Sequence, residues 1–337
     1  MTTLFVATTG GHLAQLDGLS RRIPQDDDSV WVTHANEQST SLLAGRDVVY
    51  VPYIGFHSVP GVLKAMPQAH QLLQQRKITR AVSTGSAIAL GYLPYLAARG
   101  VECHYIESAA RVTHPSATGK VLRRVPGVHC HTQYPHWTDQ GWHYGGSSFD
   151  VYRPEAGAGL AALTGSDEVR VVVTVGTAGE FPFRRLIEPL AALLAEDGPL
   201  SKAVERPVRV LWQTGCTPVD GLGIEARPFL PAAELNDALR DAHIVVSHSG
   251  AGSALAVLDS GHLPLLANRL SGFGEAGDDH QLDLSKELAR RGLGRPIEDL
   301  ATLNVDDLLG TLEHAVVKTD NPPPFRLDNV PAQALSS

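Results

Sequence analysis

Residues 244–266 constrain the fold more than any other stretch of the chain. Ile244-Val245-Val246 is a short, β-branched apolar run. It enters the turn Ser247-His248-Ser249-Gly250-Ala251-Gly252-Ser253, a helix-like segment continues to Gly261, and Leu263–Leu266 reads as another strand. Strand, crossover helix and strand in that order call for a parallel sheet. The turn sets several backbone N–H groups at a helix N-terminus, where the helix dipole also favours negative charge; this is a phosphate site in outline. Glycine serves a tight turn as readily as close ligand approach, so from these residues alone a turn that only packs stays equally open.

The same alternation runs through both halves. In the first, Leu4–Thr8, Val30–Thr33, Val48–Pro52, Arg80–Ser83, Val101–Ile106 and Val128–His131 read as strands, with helix candidates at Leu13–Arg22, Gly61–Arg76 and Ala87–Arg99. In the second, Arg170–Val175, Val208–Gln213, a stretch near Gly223–Ala226 and His243–Ser247 read as strands, with helices near Pro182–Leu194 and at Ala232–Asp241. Short apolar β-branched runs with helical crossovers predict an α/β protein of two doubly wound, Rossmann-like domains. Ligands in such sheets bind beyond the carboxyl ends of the strands, and a cleft between the domains is the expected active site. The predicted organisation is a first domain over 1–153, a Gly- and Ala-rich linker over 154–168, a second domain over 169–318 and an extended, Pro-rich tail over 319–337.

Composition narrows the partners. The chain has 337 residues and a formal charge of −8, unevenly spread. Residues 1–165 carry 13 Lys and Arg against 11 Asp and Glu, whereas 166–337 carry 15 against 25. With no dense basic stripe and 6% aromatic residues, nucleic acid is not an expected partner. Peripheral contact of the mildly basic first half with an anionic membrane remains open beside ordinary charge scatter. No apolar run approaches the ~18 residues of a membrane span, and Cys103, Cys130 and Cys216 form no CxxC pair, so a reduced, cytoplasmic setting is expected.

Four groups of residues carry candidate chemistry. Thr8-Thr9-Gly10-Gly11-His12 follows the first strand; His12 opens the next helix, where its imidazole can take a proton near neutral pH or merely cap and pack. The third glycine of a dinucleotide fingerprint is missing. Glu107, in Tyr105-Ile106-Glu107-Ser108-Ala109-Ala110-Arg111-Val112, stands at a strand end, where a carboxylate can hold sugar hydroxyls, act as a base or simply pair with Arg111 at i+4. Val173-Thr174-Val175-Gly176-Thr177 is a strand entering a Gly turn. Asp278-Asp279-His280-Gln281 opens a helix, with Asp278 suited to the N-cap and Asp279 to the first turn; capping leaves His280 and Gln281 unexplained.

Taken in order, these residues resemble a GT-B glycosyltransferase. The first half is similar to the acceptor-side subunit of the two-subunit enzyme that adds the second N-acetylglucosamine to the dolichol-linked oligosaccharide, through Thr-Gly-Gly-His at 9–12, the 105–112 run, Ser116 with Thr118-Gly119-Lys120, and Gln133 with Pro135. The second half is similar to its donor-side subunit, through Thr-Val-Gly-Thr at 174–177, the 247–253 turn and Asp-His-Gln at 279–281. Bacterial exopolysaccharide glycosyltransferases are built from the same two parts, and the lipid II N-acetylglucosaminyltransferase of peptidoglycan synthesis is a more distant likeness.

The resemblance implies a nucleotide-sugar donor, a UDP-sugar above all, bound by the second domain, and a polyprenyl-linked sugar acceptor. The donor diphosphate would lie on Gly250, Ala251, Gly252 and Ser253, with Gly11, Thr177, Ser249, His280 and Gln281 as further donor contacts. His12 would be the general base or acceptor orienter, with Glu107 its rival. No metal or other cofactor is implied, transfer would invert the anomeric carbon, and the protein would sit in the cytoplasm or at the inner face of the membrane. Two departures stand out. Relatives carry Asp or Glu six residues after the first glycine of the Gly-Ala-Gly turn to hold the ribose, where this chain has Ala256; Asp259, most of a turn further on, lies too deep to replace it. The eukaryotic acceptor-side subunit also begins with a membrane-spanning helix that has no counterpart here. A soluble acceptor, a non-catalytic nucleotide-sugar binder and an epimerase of the same architecture are the alternatives.

Overall fold

Short runs rich in Val, Ile and Thr, each followed by a helix, assemble into two parallel sheets. The computed structural model describes residues 2–24, 28–55, 58–176 and 180–327. The chain divides into two units: the residues up to Val151 joined by the chain from Asn321 onward, and Tyr152–Asp320.

In the first unit, β1 (Thr2–Ala7), α1 (Gly11–Ser20), β2 (Asp28–His34), α2 (Glu37–Leu42), β3 (Asp47–Val51), α3 (Val59–Gln75), β4 (Ile78–Gly85), α4 (Ala87–Ala97), β5 (Glu102–Ile106), α5 (Ala117–Leu122), β6 (Val128–Thr132) and β7 (His143–Tyr144) follow in order. The strands lie as β3-β2-β1-β4-β5-β6-β7, all parallel. The second unit runs β8 (Tyr152–Ala156), β9 (Val169–Thr174), α6 (Arg184–Leu193), α7 (Pro199–Val204), β10 (Val208–Gln213), β11 (Ala226–Arg227), α8 (Ala232–Asp241), β12 (Ile244–His248), α9 (Ala251–Asp259), β13 (Leu265–Ala267), α10 (His280–Arg290), β14 (Arg295–Pro296), α11 (Val305–Leu309) and β15 (His314–Lys318). Its main sheet is β11-β10-β9-β12-β13-β14, again all parallel. The expected strands and helices recur with bounds shifted by a few residues.

Strand order reverses between β1 and β4 in one sheet and between β9 and β12 in the other. At such a switch point successive crossovers leave the sheet on opposite faces and open a crevice at the strands' carboxyl ends. Both faces are covered, which is why the strands are apolar throughout. Val171 and Val173 of β9 bury with Leu186, Ile187 and Leu190 of α6, while Val172 buries with Leu239 of α8 and Val257 of α9.

Two stretches differ from expectation. The Gly- and Ala-rich segment read as a linker over 154–168 belongs to the second unit. Its first residues lie in β8, which pairs antiparallel with β15, and Leu163 is buried in that unit's core. The pairing is backbone hydrogen bonding to residues far along the chain, so composition does not announce it. Of the tail, the described residues up to Leu327 return to the first unit. Phe325 is fully buried with Phe5, Leu13 and Leu16, its N–H donates to the Arg22 carbonyl at 2.9 Å, and Arg326 N–H donates to the Gly145 carbonyl at 2.8 Å. Gly145 is required there, because a Cβ would stand 2.5 Å from the Arg326 carbonyl oxygen. One aromatic anchor docks this Pro-rich segment.

Candidate functional site

In the first unit the turn after β1 is held by Gly10, whose φ of +87° lies in the region that favours glycine. The Gln38 side chain clasps it, accepting from Gly10 N–H at 2.6 Å and donating to the Gly10 carbonyl at 3.3 Å. Gly11 opens α1 with an amide in the unpartnered first turn, and half-buried His12 follows. The His12 ring bonds through Nδ1 to the Thr84 carbonyl at 2.7 Å. A carbonyl can only accept, so Nδ1 carries a proton, and in the neutral tautomer Nε2 is the acceptor nitrogen. Thr84 belongs to β4; the bond therefore spans the β1/β4 switch point. Gly85, at φ +100°, lies against the ring: a Cβ there would stand 3.4 Å from it.

Glu107 lies beside this place in a different environment. It is 1% exposed, and its two oxygens accept from the Tyr105 hydroxyl (3.0 Å), Ser108 N–H (3.1 Å), Ser116 N–H (2.9 Å) and the Ser116 hydroxyl (3.0 Å). Burial raises its pKa against the pull of these donors. A Cβ on Gly119 would fall 2.2 Å from Oε2, which accounts for the glycine of Thr118-Gly119-Lys120. Gln133 donates to the Glu107 carbonyl (3.0 Å) and to Gln15 (3.1 Å), and accepts from Ser148 N–H (2.7 Å). Tyr105, Glu107, Ser108, Ser116 and Gln133 thus share one network with Gln15. Expected as a rival base, Glu107 has both oxygens bound within that network; its geometry is that of a buckle holding the loop after β5 to α5.

In the second unit the turn after β12 is built around His248. A Cβ on Gly176 would stand 2.7 Å from its ring and one on Gly250 2.3 Å, so the two glycines let the ring lie across the β9/β12 switch point. Burial first, then the nearby Arg269 guanidinium, push its pKa down to about 3, so it is neutral at physiological pH. Not all of the 249–253 turn is open. Ser249 is fully buried, with N–H and hydroxyl both donating to the Ala267 carbonyl at 2.9 and 3.2 Å. Gly250 N–H donates to the His248 carbonyl at 2.8 Å. The expectation that Ser249 and Gly250 present donors is corrected accordingly; the amides left at the start of α9 are those of Ala251, Gly252 and Ser253.

Arg269 is the residue that sequence reading misses. It is 3% exposed, donates to the Val175 and Phe181 carbonyls, and lies over the Phe183 ring at 5.4 Å. Burial lowers its pKa, but a guanidinium stays charged. Its Nε is buried without a hydrogen-bond partner. A lone Arg after a strand carries no motif, and its partners lie about 90 positions away, so no local signal marks it. Gln281 is buried, and its carbonyl oxygen accepts from Arg269 N–H at 3.1 Å, giving it a part in fixing this loop. Asp278 is not the cap of α10: it pairs with the His280 ring, while Asp279 takes the N-cap position without a capping bond and accepts from Ser271 N–H at 2.7 Å. His280 remains half-exposed at the start of α10. Thr177 lies outside the described residues. Ala256 packs toward Leu235, Ala238 and Leu239, and Asp259 is bound to Tyr152 and, at 2.7 Å, to Lys318, away from the turn.

Sequence and fold comparisons agree with this architecture. Residues 170–295 match the Glycosyltransferase family 28 C-terminal domain. The match runs from β9 to the first residue of β14, and so includes the whole His248 and Arg269 neighbourhood. No curated protein matches the chain. Among solved structures, MurG of Acinetobacter baumannii is similar with a TM-score of 0.55 and 17% identity, over 92% of this chain and 93% of that one. The glycosyltransferase SnogD from Streptomyces nogalater is similar at 0.53 and 16%, over 93% and 91%. The UDP-GlcNAc 2-epimerase of Methanocaldococcus jannaschii, solved with UDP-GlcNAc and UDP, is similar at 0.54 and 11%, over 97% and 96%. The fold is GT-B. Among the described residues no helix is long and apolar enough to cross a membrane.

Proposed function

We propose that the protein transfers a sugar from a nucleotide-diphosphate sugar to a hydroxyl of a polyprenyl-linked acceptor, without a metal, in the synthesis of a cell-surface polysaccharide. The observation that carries this reading is that α9's N-terminus, after β12, and a buried, permanently charged Arg269, bonded to the Val175 carbonyl after β9, stand at the ends of the two strands that flank the switch point. Oriented amides and a fixed guanidinium can neutralise a departing diphosphate without reorganisation. In the first unit, His12 Nε2 holds the lone pair that takes the acceptor proton as the hydroxyl attacks the anomeric carbon. A single displacement of this kind inverts that carbon and releases the nucleoside diphosphate. The likeness of the first-half motifs to the dolichol-linked and exopolysaccharide enzymes supports a lipid-linked acceptor, and the family 28 domain match supports a nucleotide-sugar donor.

The test is a panel of UDP- and TDP-sugars with polyprenyl-diphosphate sugars as acceptors, read by nucleoside diphosphate release and by product mass, with and without a chelator. Transfer to a lipid-linked acceptor that survives the chelator is expected. Transfer only to soluble acceptors overturns the acceptor assignment. Nucleotide binding with no turnover across the panel overturns the catalytic one.

A further inference from the structure

Phe273 is 65% exposed in the turn that follows β13, the strand beside β12. The turn that carries it is fastened at several points. Phe273 N–H donates to the Leu270 carbonyl at 3.2 Å, Gly274 N–H to the Ser271 carbonyl at 2.9 Å and Glu275 N–H to the Leu270 carbonyl at 3.2 Å. Gly274 closes the turn at φ +69°, in the region that favours glycine. The Glu275 carboxylate is 4% exposed and accepts from Leu270 N–H at 3.2 Å. It also holds the Arg185 guanidinium through both oxygens, at 3.0 and 2.7 Å, while Arg185 donates to the Asn268 carbonyl at 3.0 Å.

The guanidinium so fixed lies over the Phe273 ring at 4.5 Å and over the Phe183 ring at 5.6 Å, and Arg269 lies over the same Phe183 ring at 5.4 Å. Cation and aromatic contacts therefore run without a break from buried Arg269 to exposed Phe273. Phe183 is fully buried and serves the core; Phe273 does not. An exposed apolar side chain says little by itself. This one is clamped at the carboxyl end of the sheet and joined through Arg185 and Phe183 to the guanidinium assigned to the diphosphate, so it presents a preformed aromatic face. Its stretch of chain is otherwise polar. Ser271 N–H donates to Asp279 at 2.7 Å, and half-exposed His280 pairs with Asp278. An aromatic face with hydroxyl, carboxylate and imidazole groups on one loop is the chemistry that holds a pyranose. The weakly positive C–H bonds of the sugar ring lie against the negative face of the phenyl ring, and its hydroxyls bond to the polar groups.

We infer that Phe273 stacks on the sugar ring of the donor and sets the affinity for that end of the molecule. This rests on the nucleotide-sugar donor reading and is independent of the acceptor. The test is calorimetric binding to the full chain, without acceptor, of UDP and TDP and of UDP-glucose, UDP-N-acetylglucosamine and TDP-glucose. Phe273→Ala and Phe273→Leu should each weaken the bound nucleotide sugar by about fivefold or more and leave the bare diphosphate within about twofold, the size expected of one stacking contact. Phe273→Trp, which keeps an aromatic face, should restore most of the loss. Protons of the bound sugar ring should show an upfield ring-current shift in NMR spectra of the parent, and Phe273→Leu should remove it. All variants should melt with the parent, because the ring is exposed. Equal losses for the bare diphosphate and the nucleotide sugar would put the ring on the nucleobase and overturn the inference. Parental affinity in Phe273→Leu would leave no stacking and overturn it too. A parent that binds and transfers a nucleotide sugar while Phe273→Ala matches it discards the inference alone. A parent that binds none of these ligands discards the donor reading and the inference with it. Binding that follows this pattern without transfer to a lipid-linked sugar keeps the inference and discards the acceptor assignment.

Discussion

His12 and Thr84 are bonded to each other twice: the ring Nδ1 donates to the Thr84 carbonyl at 2.7 Å, and the Thr84 hydroxyl donates to the His12 carbonyl at 2.8 Å. The pair fixes both the tautomer and the aim of the imidazole. His12→Ala should lower kcat by about 10²–10⁴-fold with little change in donor affinity. His12→Asn, which can keep a donor toward Thr84, should lose as much kcat while melting close to the parent. Steady-state transfer rates with calorimetric donor binding check both; near-parental kcat in either variant removes His12 from the chemistry.

Glu107→Gln separates a buckle from a base. The amide would turn an NH₂ toward two of the four donors that now meet the carboxylate, at about 1–3 kcal/mol for each buried donor left unpaired. Chemical denaturation should show that loss, and the pH–rate profile of the remaining activity should keep its shape. A variant of parental stability that has lost turnover would instead make Glu107 the base.

Gly250→Ala should clash with the His248 ring rather than with its own backbone, since its φ of −90° suits any residue. Overpacking of this kind costs about 1–3 kcal/mol. In a His248→Ala background the same substitution should cost far less, and a denaturation double-mutant cycle reads the difference. Additive losses would mean that the ring is not what the glycine accommodates.

Acid should destabilise the protein early. His104, His131, His143 and His248 all have pKa values lowered by burial, so each is neutral when folded and binds a proton more readily when unfolded. Their contribution is complete above the unfolded value of about 6.5 and is lost as pH falls from there, down to about 3 for His248. Glu107, raised by burial, acts in the opposite sense above its ordinary carboxyl value, as one group against these four and the likewise lowered His34, His243 and His262. The melting temperature should therefore fall between pH 7.5 and 5.5, and His248→Asn should flatten the slope. A flat profile over that range contradicts the assignment of neutral buried histidines.

Ala256 predicts weak reading of the ribose. UDP and its 2′-deoxy counterpart should bind within a few-fold of each other, because Ala256 stands where the resemblance to GT-B glycosyltransferases implies a carboxylate for the ribose hydroxyls. Ala256→Glu should raise preference for the ribonucleotide about tenfold, the discrimination expected from one added hydrogen-bonding group. Strong parental discrimination would point to a different ribose ligand.

The alternation of β-branched runs with helices, and the glycines that end β1, β9 and β12, are legible in the chain because strand burial and turn conformation are set by neighbours a few residues away. The tertiary structure alone decided what those ends do. Glu107 stands at its expected strand end, yet only the return of Ser116 and Tyr105 shows that its oxygens are occupied. Ser249 and Gly250 belong to the Gly-rich turn, yet the Ala267 and His248 carbonyls take their protons. Arg269 carries no motif, and becomes a fixed charge only because carbonyls about 90 residues distant close on it. The stretch read as a linker and the tail read as extended are held by β15 and by a pocket for Phe325, partners that composition cannot name. Backbone conformation is a local property of sequence; desolvation and hydrogen-bond partnership belong to whichever distant residues the fold brings alongside.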